Sequence, residues 1–69
     1  MYVGSIIKLN VLRGFGFISC PNLVDDVFFH VGDIAPDLEF DESLQERRVR
    51  FSIQSSPKGP RAVDIVPAE

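Results

Sequence analysis

The sequence predicts an all-β domain: five short antiparallel strands closed into a small barrel, with a long loop between strands 3 and 4. Three observations predict this class. Runs rich in Val, Ile and Phe alternate with clusters of Gly, Pro, Asn, Asp and Ser, the usual punctuation between strands. No long helical period and no internal repeat interrupts them. The chain has 69 residues, read as one domain over 1–69. A sheet this small closes best on itself, because closure removes exposed edges. A chain of this size buries only about 60% of its unfolded surface, so its core is small.

Each element follows in order. Tyr2 to Leu9 reads as the first strand, with Val3, Ile6, Ile7 and Leu9 as its apolar members. Its alternation falters at Ile6-Ile7, which predicts a bulge or twist there. Asn10 to Gly14 is the turn into strand 2, Phe15 to Cys20, which Pro21-Asn22 closes. Val24 to Val31 is strand 3, with Val27, Phe29 and Val31 on one face and Phe28 and His30 on the other. Gly32 to Glu46 is a long acidic loop, pinned to the core by Leu38 or Leu44 and carrying Phe40. Within it Asp41 caps a helical turn over Glu42 to Gln45. Arg48 to Ile53 is strand 4, with Val49, Phe51 and Ile53 facing one way and Arg48, Arg50 and Ser52 the other. Ser55 to Pro60 is a loop of turn formers. Arg61 to Val66 is strand 5, ended by Pro67.

The chain is organised around Arg13-Gly14-Phe15-Gly16-Phe17-Ile18. Phe15 and Phe17 share one strand face, and the glycines leave the other nearly bare. Glycine inside a strand asks for a reason, such as another group passing close behind it. Two phenylalanines at period two usually mean a buried face; the sharper reading is a pair of exposed rings that stack on unpaired bases. Counting separates the two. Ile18, Val27, Phe29, Val49, Phe51, Ile53 and Ile65 already fill so small an interior, and Phe15, Phe17 and Phe28 would overfill it. Three rings and His30 are therefore expected outside, on neighbouring strands, where an aromatic cluster marks an interaction site.

Composition narrows the function further. The formal charge is −3, with acids concentrated from Asp25 to Glu46 and Lys8, Arg13, Lys58 and Arg61 towards the two ends. That layout suits a molecule basic on one side and acidic on another. The single cysteine, Cys20, permits no internal disulfide and points to a reducing, cytoplasmic setting. No apolar run approaches the ~20 residues of a spanning helix, and no signal peptide is read. One histidine and one cysteine supply neither a metal site nor a nucleophilic dyad, so no enzyme, cofactor or small-molecule substrate is expected. An α/β RNA-recognition motif is disfavoured as well, since no helix precedes the glycine-aromatic strand.

The sequence resembles the cold-shock domain family over almost its whole length. The resemblance rests on Gly4, Asn10, Arg13-Gly14-Phe15-Gly16-Phe17-Ile18, Asp26-Val27-Phe28-Phe29-His30, Ile34 and Lys58-Gly59-Pro60-Arg61-Ala62. It implies an OB-type barrel that binds single-stranded RNA or DNA; little sequence preference and a monomer are the expectations set beside it. By the same resemblance Phe15, Phe17, Phe28 and His30 stack on bases. Arg13 and Lys58 flank the platform, and Phe40 stands in for a loop aromatic. Lys8 and Arg61 are added as cations for phosphates. The chain departs from the family at Lys8-Leu9, where a tryptophan-phenylalanine pair is usual, at Val31, where an aromatic is common, and at Glu46-Arg47-Arg48, where a glycine is missing. Stacking is worth ~1–3 kcal/mol per base, so these departures imply weaker binding. Weak binding with fast turnover suits an RNA chaperone or a regulator. A second reading, motivated by the lost aromatics and the acidic middle, is a protein-interaction module whose contact surface is the loop from Asp33 to Glu46.

Overall fold

The computed structural model describes residues 1–68. Five strands, β1 (Tyr2–Asn10), β2 (Phe15–Ser19), β3 (Val27–His30), β4 (Arg48–Ser56) and β5 (Gly59–Pro67), close a barrel in the order β1-β2-β3-β5-β4. The barrel and its five strands are as predicted. One seam differs: β3 and β5 run parallel, joined at Phe28 and Arg61, while the other neighbours are antiparallel. The reason is parity. A closed ring with an odd number of strands cannot alternate direction all the way round, so one seam must be parallel. No helix among the described residues is long and apolar enough to cross a membrane.

The predicted irregularity in β1 is present and shapes the site. The β1–β2 register runs Ile6↔Ile18 and then Lys8↔Phe17, so one extra β1 residue is accommodated between them. In a regular strand Ile6 and Lys8 would share a face. The bulge breaks that rule: Ile6 is fully buried, Ile7 and Lys8 are exposed, and Leu9 packs on the core. A lysine thereby comes out beside Phe17 without costing the interior an apolar side chain.

The core holds Ile6, Ile18, Val27, Phe29, Val49, Phe51 and Ile65, with Ile53 half-buried against it. Phe29 and Phe51 are its largest fully buried side chains. Gly16 sits on the inner face beside Phe29. A Cβ there would lie 2.6 Å from the Lys8 carbonyl oxygen and 2.7 Å from Phe29 Cζ. The bare backbone is what lets a phenylalanine ring fill this end of the barrel.

Several boundaries differ from expectation, most of all around β3 and the β4–β5 connection. Strand 3 begins at Val27, not Val24: Val24 is fully exposed, and Asp25-Asp26 keep their carboxylates in solvent. It ends at His30, because Val31–Asp33 turns into a 3-10 helix. The expected loop over Ser55–Pro60 is a tight hairpin, with Ser56 paired to Gly59 and only Pro57-Lys58 between. Gly59 takes a φ of 112°, which is what a side chain would resist.

The β3–β4 connection is anchored at several points. Leu38 and Leu44 are both buried. A second 3-10 turn, Glu42–Leu44, is capped by Asp41, whose carboxylate accepts from the Ser43 N–H at 2.9 Å. Hydrogen bonds from the Ser43 hydroxyl and backbone hold the Asp41 carboxyl below its ordinary value. The Glu46 N–H donates to the Ile6 carbonyl at 2.6 Å, and Glu46 adopts a φ of 64° there.

Candidate nucleic-acid interface

The outer face of the barrel carries two ladders of paired residues. At one level Lys8 on β1 pairs with Phe17 on β2, Phe17 with Phe28 on β3, and Phe28 with Arg61 on β5. At the next level Asn10 pairs with Phe15, and Phe15 with His30. Paired residues share a face, so the short strands bring these side chains together by register alone. The three rings touch. Phe15 and Phe28 stack with centroids 5.9 Å apart, Phe17 meets Phe28 edge-on at 5.8 Å, and Phe15 meets Phe17 edge-on at 6.3 Å. Phe15 and Phe17 are half-buried, Phe28 is 36% exposed and His30 is exposed. Their ring faces and edges form one continuous apolar surface beside solvent.

Loops place the flanking cations. Arg13 is exposed in the β1–β2 turn, where its N–H donates to Asn10 Oδ1 at 3.1 Å. Gly14 closes this turn, as expected, and has a φ of 76°. Its carbonyl accepts from the Val31 N–H at 2.8 Å, tying the turn to the residue after His30. Lys58 stands exposed at the tip of the β4–β5 hairpin. With Pro57 and Pro60 it borders a cleft of about 520 Å³ whose far wall is Phe17 and Phe28.

Beyond the rings lies a polar junction. His30 Nδ1 accepts from the Gly32 N–H at 3.2 Å, which assigns the proton of the neutral imidazole to Nε2. The His30 N–H donates to Asp33 Oδ2 at 3.3 Å, closing a capping box. Asp33 also accepts from Arg61 Nε at 2.9 Å and Nη2 at 3.1 Å. Hydrogen bonding and charge attraction from Asp33 raise the Arg61 guanidinium above its ordinary value.

The structure brings together Lys8, Phe15, Phe17, Phe28, His30, Lys58 and Arg61, with Arg13 at the edge. It does not bring Phe40. That ring packs on the core, edge-on to the buried Phe29 with centroids 6.3 Å apart, because an aromatic ring gains more by covering the open end of a small barrel than by standing in water. Arg61 is present but committed to a carboxylate, so its charge is locally balanced. Sequence reasoning missed Asp33, counted there only among the acids. The partners are 28 residues apart, and no local pattern announces them. Among the described residues no three His, Cys, Asp or Glu side chains are grouped to hold a metal ion. The chemistry on offer is stacking, hydrogen bonding and charge.

Comparison with known proteins agrees with this geometry. A family model described as the 'Cold-shock' DNA-binding domain matches residues 2–68. The cold shock-like protein CspJ of Salmonella typhimurium is 38% identical over 63 residues, spanning 91% of this chain and 89% of that one. The cold shock-like protein CspA of Vibrio cholerae is 37% identical over 90% of this chain and 87% of its own. Among solved structures, Drosophila Unr CSD456 superposes with a TM-score of 0.76 at 25% identity, covering 99% of this chain and 27% of that one. On fold, order of motifs and identity across nearly its full length, this chain belongs to the cold-shock domain family.

Proposed function

We propose that this barrel binds single-stranded RNA or DNA along the Phe15–Phe17–Phe28–His30 surface, with little sequence preference over most of the track. The contiguous ring cluster carries this reading. Any base offers a face to an aromatic side chain, so a ring platform tolerates sequence. Lys8, Arg13 and Lys58 lie around its margin as phosphate partners, and the family's description as DNA-binding points the same way. Two usual stacking positions are Lys8 and Leu9 here, and Phe40 is turned inward. Binding is therefore weak and quickly reversed, which suits a chaperone that traps open RNA strands and releases them.

The chain has no tryptophan, so the test is fluorescence anisotropy of end-labelled oligothymidine and oligouridine at ~50 mM salt, where phosphate attraction is strong. Replacing Phe15 and Phe28 together by Ala should weaken binding by at least tenfold, given ~1–3 kcal/mol per stacked base. Equal binding by the double variant rejects the platform. No binding by the wild type favours the acidic β3–β4 connection as a protein-contact surface instead.

A further inference from the structure

Among the described residues Arg61 is the one cation of the interface held by a carboxylate. Asp33 is well placed to fix it: its side chain is only 11% exposed, and its Oδ2 also accepts from the His30 N–H, whereas the Arg61 side chain is 41% exposed. Both bonds to Asp33 leave from one edge of the guanidinium, Nε and Nη2. A guanidinium has five N–H donors in a rigid plane, so the end formed by Nη1 and the second Nη2 hydrogen stays unused by Asp33. Arg61 also borders the cleft between Phe17-Phe28 and Lys58, directly across the seam from Phe28.

Two consequences follow from that arrangement. The ion pair is close to neutral as a unit, which weakens the pull of Arg61 on a phosphate. Its planar end keeps two parallel donors beside a wall where a base can stack. Two parallel donors match the O6 and N7 acceptors of guanine, and no other base presents two acceptors on that edge. Unpaired bases are open to such readout on their Hoogsteen edges.

We propose that Asp33 turns Arg61 from a phosphate contact into a guanine reader, so that one position of an otherwise permissive track prefers guanine. This rests on the platform reading above and adds a specificity to it. Arg61 is the reading residue, and Asp33 is its positioning residue.

The experiment uses labelled oligothymidines of about eight nucleotides, with a single dG or a single dA placed at each position in turn. The wild type should bind the best dG oligonucleotide at least about fivefold more tightly than its dA counterpart. Arg61→Lys keeps the charge and loses the fork. It should abolish the dG preference, bringing the dG-to-dA affinity ratio to about one whatever the change in oligothymidine binding. Asp33→Asn keeps an acceptor for the His30 N–H and frees the charge of Arg61. It should bind oligothymidine more tightly, steepen the salt dependence by about 0.7 in log–log slope, and shrink the dG preference. Equal binding of dG and dA oligonucleotides at every position, with oligothymidine still bound through Phe15 and Phe28, overturns the guanine reader and leaves the platform intact. A dG preference that survives Arg61→Lys overturns it too. No binding to any oligonucleotide overturns both.

Discussion

Replacing Gly16 by Ala tests the link between β2 and the core most directly. The added Cβ would lie 2.6 Å from the Lys8 carbonyl oxygen, 2.7 Å from Phe29 Cζ and 2.8 Å from Phe29 Cε2. None of these neighbours can yield freely. The oxygen is backbone beside the β1 bulge, and the Phe29 ring is fully buried. Forcing a methyl into a packed core typically costs ~1–3 kcal/mol. For a domain of this size each kcal/mol lowers the melting temperature by about 4–8 °C, so a fall of roughly 5–20 °C is expected. Small single-core domains rarely hold more than about 3–5 kcal/mol in all, so the loss is a large share. Gly32→Ala is the matched control. Its Cβ would meet nothing nearer than His30 Nδ1 at 3.6 Å. Alanine there should leave stability unchanged or raise it slightly, by reducing the freedom of the unfolded chain. Thermal melts by circular dichroism at 215–220 nm, read as roughly the strand signal, compare the three proteins. A Gly16→Ala variant melting within about 2 °C of the wild type would refute the close-approach argument.

Three further outcomes are expected. Lys8→Ala removes one margin cation, so the log–log salt dependence of oligothymidine binding should flatten by about 0.7; an unchanged slope would place Lys8 outside the phosphate track. Glu46→Gly relieves a left-handed residue at φ 64°, worth ~1–2 kcal/mol against a glycine entropy cost of ~0.5–1 kcal/mol, for a net gain of up to about 1.5 kcal/mol in urea melts; a destabilised variant would show that the Glu46 side chain outweighs its backbone. Asp41 has a lowered carboxyl in the folded chain, so its contribution is present above the ordinary value of 3.8 and is lost as pH falls through the folded value. The melting-temperature gap between wild type and Asp41→Ala should therefore close on acidification, and a gap that stays constant down to about pH 2 would contradict the capping bonds.

Much of the barrel could be read from residue order because its inner face is filled by strict alternation. Val49 and Phe51, or Val27 and Phe29, take a side as soon as the strand is recognised. The outward place of Phe15, Phe17 and Phe28 came from volume: the interior was already full. The Ile6-Ile7 doublet betrayed the bulge, since two adjacent isoleucines cannot both face inward on a regular strand. The parallel seam was equally deducible, from the oddness of five, and was overlooked. Other features were closed to sequence reasoning. Phe40 lies in an irregular connection, where no period assigns a side chain to a face. The Asp33–Arg61 pair depends on the 3-10 turn after β3 meeting β5 across the seam. Pro57-Lys58-Gly59-Pro60 reads as a broad loop because two prolines are rarely at home in strands, yet Pro60 sits within β5.

The parallel seam has a consequence for the assembled molecule. Seven residue pairs zip β4 to β5, whereas β3 and β5 share Phe28↔Arg61 and, past the end of β3, the bridge Ile34↔Ile65. The cylinder thus has one lightly stitched side, and the rings and cations bordering it are those assigned to the ligand. A polynucleotide draped over Phe28 towards Lys58 would act as a clasp across that side. Occupancy and mechanical integrity would then rise together, and the empty barrel would be the form most prone to breathe open.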